Sequence, residues 1–155
     1  MARGYAPVAV VLLLAVTVVA AASVLTILPS VTERPPADQR GVAVDATADG
    51  RVTLTLVAGP ELDVRDVDVA ISVDGAALDH QPPVPFFSAT GFVSGPTGPF
   101  NVADDPTWRV GESASVRIAG TNAPTVEAGD AVEVRLVVRG TVVATARTEV
   151  TEGTA

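Results

Sequence analysis

The sequence predicts a mainly β protein, an immunoglobulin-like antiparallel β-sandwich preceded by one N-terminal hydrophobic α-helix. Three observations lead to this fold class. Residues 5–29 are mostly apolar and carry no charge. Residues 40–151 contain short runs in which apolar and polar residues alternate, and turn signals rich in glycine separate these runs. Period-two alternation is typical of strands with one buried face, and a series of such strands favours a sandwich.

The N-terminal apolar stretch has the length of a membrane-spanning helix. From Val8 to Leu28, an α-helix is about 31 Å long, which matches the hydrocarbon core of a bilayer. Because the stretch is apolar on every side, it does not fit the surface of a globular domain. Arg3 precedes it, and Glu33 and Arg34 follow it. We therefore expect a cytoplasmic N-terminus and an extracellular C-terminal domain.

Three fates of this stretch are compatible with the sequence. A conventional secretory signal would be cut after the small residues at 20–22, but the apolar run continues to Leu28, which is long for the core of such a signal. A permanent membrane anchor would keep the helix uncut. A class III signal would be cut in front of the helix, which would then stay with the mature protein.

The residues at the front of the helix favour the class III signal. Arg3-Gly4-Tyr5-Ala6-Pro7-Val8, followed by a helix of valine, leucine and alanine, resembles the start of archaeal type IV pilins, particularly the haloarchaeal ones. The resemblance implies that residues 1–4 are a class III leader, which prepilin peptidase removes by cutting between Gly4 and Tyr5. It assigns Arg3, Gly4 and Tyr5 to the cleavage site. Arg3 would hold the N-terminus on the cytoplasmic side, and Gly4 would fit a protease site that excludes larger side chains.

The composition favours an extracytoplasmic, salt-rich setting. The net charge is −8 at pH 7, and all ten basic residues are arginine. An acidic, lysine-free chain resembles haloarchaeal proteins, although a GC-rich genome alone also favours arginine. The absence of cysteine excludes disulfides, thiolate metal sites, a cysteine nucleophile and a lipid-modified cysteine. The negative charge, with no basic stripe, argues against nucleic-acid binding.

Residues 30–39, which include Pro35-Pro36, are expected to form a short stiff linker to the β-domain. In that domain we expect strands at five runs of alternating apolar residues. These runs are Val42–Val44, Val52–Leu56, Val67–Val73, Val116–Ile118 and Val132–Val138. No stretch in residues 40–151 has helical periodicity, and residues 152–155 form a tail.

The last hairpin allows two registers. A two-residue turn at Arg139-Gly140 would place Leu136 opposite Val143. A three-residue loop ending at Gly140 in the left-handed conformation would place Leu136 opposite Val142, and burial of the apolar residues favours this second register. It leaves Val137 and Val143 on the otherwise polar face. They are either scattered surface valines or contacts to a neighbouring subunit.

Two internal segments extend the resemblance to pilins. Residues 54–75 look like the family's strand, glycine turn, strand arrangement. Trp108–Glu112 and Ala128–Val134 look like its W-x-x-G-[DE] and A-G-D-x-V-x-V patterns. The family is understood to form or decorate surface pili, with the helices bundled in the filament core and the β-domains outside.

The chain departs from the pilin pattern in two places. Asn101 and Asn122 lie outside N-glycosylation sequons, whereas many surface pilins of this type are glycosylated. The fifth residue after the proposed cut is Ala9, where bacterial pilins use a glutamate for registration. Assembly would then depend on apolar helix packing alone.

The stretch from Asp79 to Trp108 is unusual because it holds all four phenylalanines and the only tryptophan. A loop this long is usually functional or disordered, and aromatic residues argue against disorder. The rings either complete the core at an open end of the sandwich or form an exposed adhesive or subunit-contact surface. The candidate contacts are Phe86, Phe87, Phe92, Val137 and Val143.

The sequence gives little support for catalysis. His80, the only histidine, lies beside Asp79 in a proline-rich segment and is interpreted as a surface residue. Asp63, Asp66 and Asp68 would suggest calcium, but the chain has no D-x-[DN]-x-[DN]-G loop. No glycine-rich loop precedes a helix, so nucleotide binding has no basis. We expect no catalytic residue, no metal and no cofactor.

The apolar N-terminal stretch and the resemblance to type IV pilins together predict a structural subunit, a minor pilin or pilin-like protein, of an archaeal type IV pilus that serves surface adhesion. Its partners would be prepilin peptidase, the membrane before assembly, and other pilin subunits through the N-terminal helix. It would lie in the membrane first and in a cell-surface pilus after assembly. The alternative is a surface protein permanently anchored by the same helix, which presents a β-sandwich that binds a partner.

Overall fold

Nine β-strands make up most of the regular structure in residues 39–153, the part of the chain that a computed structural model describes. The strands are β1 Gly41–Ala46, β2 Arg51–Ala58, β3 Leu62–Asp63, β4 Val67–Val73, β5 Ala76–Ala77, β6 Thr107–Trp108, β7 Ser113–Arg117, β8 Ala131–Val138 and β9 Thr141–Glu149. Short 3₁₀ turns lie at Val64–Asp66 and Gly98–Phe100. The predicted leader, the helix at 5–29 and nearly all of the linker lie outside the described residues.

The strands form two main antiparallel sheets. The first has the order β1-β2-β7 and the second the order β5-β4-β8-β9, while β3 and β6 form a separate pair. The prediction of a mainly β domain with antiparallel sheets is confirmed. Within residues 39–153 there is no helix with the length and hydropathy needed to cross a membrane.

Alternation along the strands builds one core between the two sheets. On β2, Val52, Leu54 and Leu56 are fully buried, and the residues between them are at least partly exposed. On β4 the buried positions run from Val67 to Val73 with the same period. Each alternating run found in the sequence contributes to a strand, because burial of one face fixes which side of the sheet each residue occupies.

The first and last strands of the domain run parallel and are joined at both ends. The Arg40 N–H donates to the Val143 carbonyl at 2.8 Å. At the other end, the Ala48 N–H donates to the Thr151 carbonyl at 2.8 Å, and the Thr151 N–H donates to Ala46 at 3.0 Å. These hydrogen bonds link β1, at the edge of the first sheet, to β9, at the edge of the second. The chain therefore enters the domain beside β9.

The predicted register of the last hairpin is wrong. Arg139 and Gly140 have φ values of 49° and 83°, which is the two-residue type I′ turn that suits the twist of a hairpin. Val138 accordingly lies opposite Thr141. The left-handed conformation predicted for Gly140 is confirmed, but the three-residue loop is not formed.

A bulge then shifts the pairing by one residue. Val137 lies opposite Val142, whereas Leu136 lies opposite Ala144, so Val143 is an extra residue on β9. Val143 is only 4 % exposed, which corrects its predicted place on the polar face. The bulge allows β9 to bury Val143 and still keep Ala144 on the core side, and neither register considered from the sequence includes it.

Candidate interaction surface

The long loop, residues 79–106, is held to the domain by two side-chain amides, those of Asn122 and Gln81. Asn122, 2 % exposed, accepts a hydrogen bond from the His80 N–H at 3.1 Å and donates to the carbonyls of His80 at 3.0 Å and Gly91 at 3.2 Å. Gly91 has a φ of 83°, and a Cβ there would lie 2.7 Å from the Asn122 amide nitrogen. One side chain thus fixes two distant points of the loop.

The loop also covers an edge of each sheet. The Gln81 amide pairs with the backbone of Ile71 on β4 like a strand residue, accepting from its N–H at 2.7 Å and donating to its carbonyl at 2.9 Å. On the other sheet, Thr97 bridges Ser115 of β7 through the backbone, and their hydroxyls are 2.7 Å apart. Satisfied backbone groups at both edges explain how so long a loop is ordered although its regular structure is limited to the short 3₁₀ turn at Gly98–Phe100.

Most aromatic rings of the loop complete the core. Phe100 and Trp108 are fully buried, with ring centroids 5.2 Å apart in an edge-to-face arrangement, a favourable geometry for aromatic pairs. Phe86 and Phe92 are each 6 % exposed, with centroids 5.9 Å apart. Of the two interpretations of these rings, core completion holds for these side chains, and Phe86 and Phe92 present almost no surface to a partner.

Phe87 is the aromatic residue that the loop leaves outside. It is 60 % exposed, as is Val102. Phe86 and Asn101 form a parallel bridge, and the Val102 N–H donates to the Phe86 carbonyl at 3.2 Å. Phe87 directly follows Phe86, and Val102 directly follows Asn101, so both exposed residues lie at the same end of this bridge. We call these two residues the Phe87 patch.

In the last hairpin, Val142 and Val143 exchange the exposed and buried positions predicted for them. Val143 is buried, Val137 is half-buried on the outer face of the second sheet, and Val142 is 50 % exposed. Val142 is therefore a surface residue that the sequence argument missed, because the bulge that exposes it is not visible in the alternation.

Carboxylates gather around Arg109 at the end of the domain where the chain enters. The Arg109 guanidinium is 3.4 Å from Asp105, 3.7 Å from Glu61 and 3.9 Å from Glu112. The Thr107 N–H, which donates to Asp105 at 2.9 Å, is the main cause that lowers the pKa of that carboxyl. All these groups are solvent-exposed. Among residues 39–153 no set of carboxylates or histidines has an arrangement that would hold a metal ion.

A second charged group lies at the opposite end of the first sheet. The Asp49 carboxylate accepts from the Thr47 hydroxyl and pairs with Arg117. The hydrogen bond from Thr47, followed by the one from Arg117, lowers the pKa of Asp49 to about 2. His80 is exposed, and its backbone rather than its ring bonds to Asn122.

The predicted cleavage site, Arg3, Gly4 and Tyr5, lies outside the described residues. The chain matches no protein-family model, and no curated protein matches its sequence. The proposals below therefore rest on the residues themselves. Asn122 and Gln81 are the important residues that the sequence argument missed, because a polar side chain that bonds to backbone far along the chain leaves no local pattern.

Proposed function

We propose that this chain is a minor pilin or pilin-like subunit of an archaeal type IV pilus that serves surface adhesion. Prepilin peptidase would cut between Gly4 and Tyr5, and the helix at 5–29 would pass from the membrane into the core of a filament. The observation that carries the proposal is the order Arg3-Gly4-Tyr5 directly before an apolar stretch of membrane-spanning length. Residues 39–153 would be the head outside the filament core.

The finer fold assignment that we propose for the head is immunoglobulin-like. The strand orders β1-β2-β7 and β5-β4-β8-β9 correspond to the A-B-E and C′-C-F-G orders of such sandwiches. The head would be a scaffold with no catalytic residue, metal or cofactor. Its acidic surface, in a chain of net charge −8, suits an exposed position and gives nucleic acid no basic face to bind.

The Phe87 patch is the surface that we assign to adhesion or to contact with a neighbouring subunit. Phe87 and Val102 are each 60 % exposed on a loop whose backbone is fixed by Asn122 and Gln81. A rigid loop lowers the entropy lost on binding, and exposed aromatic residues are enriched at binding hot spots. Val137, half-buried beside the last turn, is a weaker candidate.

The alternative function is a surface protein that keeps its N-terminal helix as a permanent anchor. The Phe87 patch would serve such a protein equally well as a binding surface. The two functions differ in what happens at Gly4, since an anchor needs no cut there and a pilin does.

Substitution of Gly4 by leucine tests the proposal. We expect Gly4→Leu to block processing, so that the uncut precursor accumulates in the membrane and the chain disappears from filaments sheared off the cells. Ala2→Leu is the matched control, because it adds the same side chain two positions before Gly4 and should be processed normally. Normal processing of Gly4→Leu would refute the assigned cleavage site.

A further inference from the structure

Two arginines lie directly opposite each other on the outer face of the first sheet. Arg51 of β2 pairs with Arg117 of β7 in the strand register. Like charges in this position repel each other, and the structure compensates only one of them. Arg117 pairs with Asp49, whereas the Arg51 guanidinium has no ion-pair partner within residues 39–153. The Nε atom of Arg117 is also buried without a hydrogen-bond acceptor.

The long loop turns this arginine pair into a cleft. The Val93 N–H donates to the Arg117 carbonyl at 2.9 Å, and residues 93–97 line a cavity of about 160 Å³ together with Arg51 and Arg117. Sites for free small molecules usually exceed ~300 Å³. The cleft therefore has room for one acidic side chain that a larger partner presents.

The same domain carries an uncompensated carboxylate at the other end of β7. Asp104 is exposed, and it forms no ion pair within the described range. It lines a depression together with Ser113, the first residue of β7. Arg117 is the last residue of that strand, so Ser113 and Arg117 are separated by ~14 Å along β7. Asp104 therefore does not reach the cleft of its own copy.

We infer that the cleft between Arg51 and Arg117 binds the Asp104 carboxylate of a second copy of this chain. A patch at one end of a domain that binds a complementary patch at the other end is a heterologous contact, and such contacts repeat along a filament. The charges are complementary, because the Arg51 guanidinium in the cleft has no ion-pair partner within the described residues and the chain has a net charge of −8. The inference rests on the proposed function, since it assigns one contact between neighbouring heads.

A charge exchange tests this contact in filaments. We expect Arg51→Asp and Asp104→Arg each to lower the amount of filament sheared from cells by about tenfold, as expected for loss of a close charge pair at an interface. The double variant should recover most of the loss. Arg147→Asp and Asp68→Arg are controls, because they make the same charge changes on the second sheet and should leave the filament yield unchanged. A double variant that loses as much filament as the single variants would overturn the contact.

Cross-linking separates failure of this contact from failure of the proposed function. The chain has no cysteine, so mixing purified full-length Arg51→Cys with Asp104→Cys allows only intermolecular disulfides. We expect a mixed dimer at high yield and much less with Arg147→Cys in place of Arg51→Cys. If wild-type chains are processed and form filaments but the mixed dimer is absent, the contact is wrong and the pilin assignment stands. Binding of an acidic polysaccharide that Arg51→Asp abolishes, with no effect of Asp104→Arg, would also overturn it.

Discussion

Replacement of Asn122 by alanine tests how the long loop is held. The Asn122 amide makes three hydrogen bonds to the loop backbone, two to His80 and one to Gly91, and it is almost fully buried. The substitution removes these three bonds, together with the local bond that the Asn122 Oδ1 accepts from the Ala123 N–H at 3.0 Å, and it leaves a small void. The loop would then be attached at fewer points, and the packing of its phenylalanines against the core would weaken.

The expected cost is about 2 kcal/mol of unfolding free energy. Three hydrogen bonds at about 1 kcal/mol each give about 3 kcal/mol. Two features reduce this value. The Gly91 carbonyl still accepts from the Ala119 N–H at 2.9 Å, and His80 is exposed, so water can replace its lost partner. A loss of 2 kcal/mol is a large part of the ~5–15 kcal/mol that typically stabilises a domain.

Urea unfolding followed by tryptophan fluorescence measures this cost. Trp108 is the only tryptophan and is fully buried, so its emission reports unfolding of the β-domain even in the full-length chain. With a slope near 2 kcal/mol/M, the midpoint should fall by about 1 M. Asn101→Ala is the control, since the hydrogen bonds of the Asn101 side chain within residues 39–153 are local ones to Pro96 and Ala103. An Asn122→Ala midpoint no lower than that of the control would refute the role assigned to the amide.

The remaining predictions concern the hairpin, the exposed ring and the response to acid. Val143→Asp should cost about 3 kcal/mol or more because it buries a charge, whereas Val142→Asp should stay within about 0.5 kcal/mol in the same unfolding assay; the reverse order would contradict the bulge. Phe87→Ser should leave the urea midpoint unchanged but reduce attachment of cells to surfaces, and undiminished attachment would remove the patch from the proposal. The folded pKa of Asp49, about 2, lies below its usual 3.8, so the stability it contributes is present above about pH 4 and is lost as the pH falls towards 2. Because the side chain is 39 % exposed, the effect should be below about 1 kcal/mol, and Asp49→Asn should flatten it in acid unfolding curves.

The long strands were predictable because burial imposes a period that the sequence displays. Val52, Leu54 and Leu56 alternate with threonines, and one face of β2 is buried accordingly. The two-residue strands β3, β5 and β6 are too short to show a period. Leu62, for example, pairs with Trp108 only because the whole fold brings them together.

The last hairpin shows where alternation misleads. A β-bulge adds one residue to one strand, and the sequence around Val143 carries no mark of it. Arg139 also adopts a positive φ, which is uncommon for a residue other than glycine. The twist of the hairpin favours the tighter turn over the pairing that alternation alone would select.

The candidate surfaces were only partly predictable. The concentration of aromatic residues in the long loop was evident, but which ring stays outside depends on Asn122 and Gln81, whose partners His80 and Ile71 were not recognisable from sequence. The pairing of Arg51 with Arg117 likewise depends on the register between two strands far apart in the chain. The assignment of the cleavage site, in contrast, depends on the sequence alone.

The central claim, processing as a prepilin, is tested most directly by the N-terminus of the mature protein. Mass spectrometry of the chain purified from cell membranes and from sheared filaments gives this residue. We predict that the mature chain begins at Tyr5 in both samples. A start at Ser23, or an intact N-terminus at Met1 or Ala2, would contradict the pilin assignment, and an intact N-terminus would favour the permanently anchored surface protein.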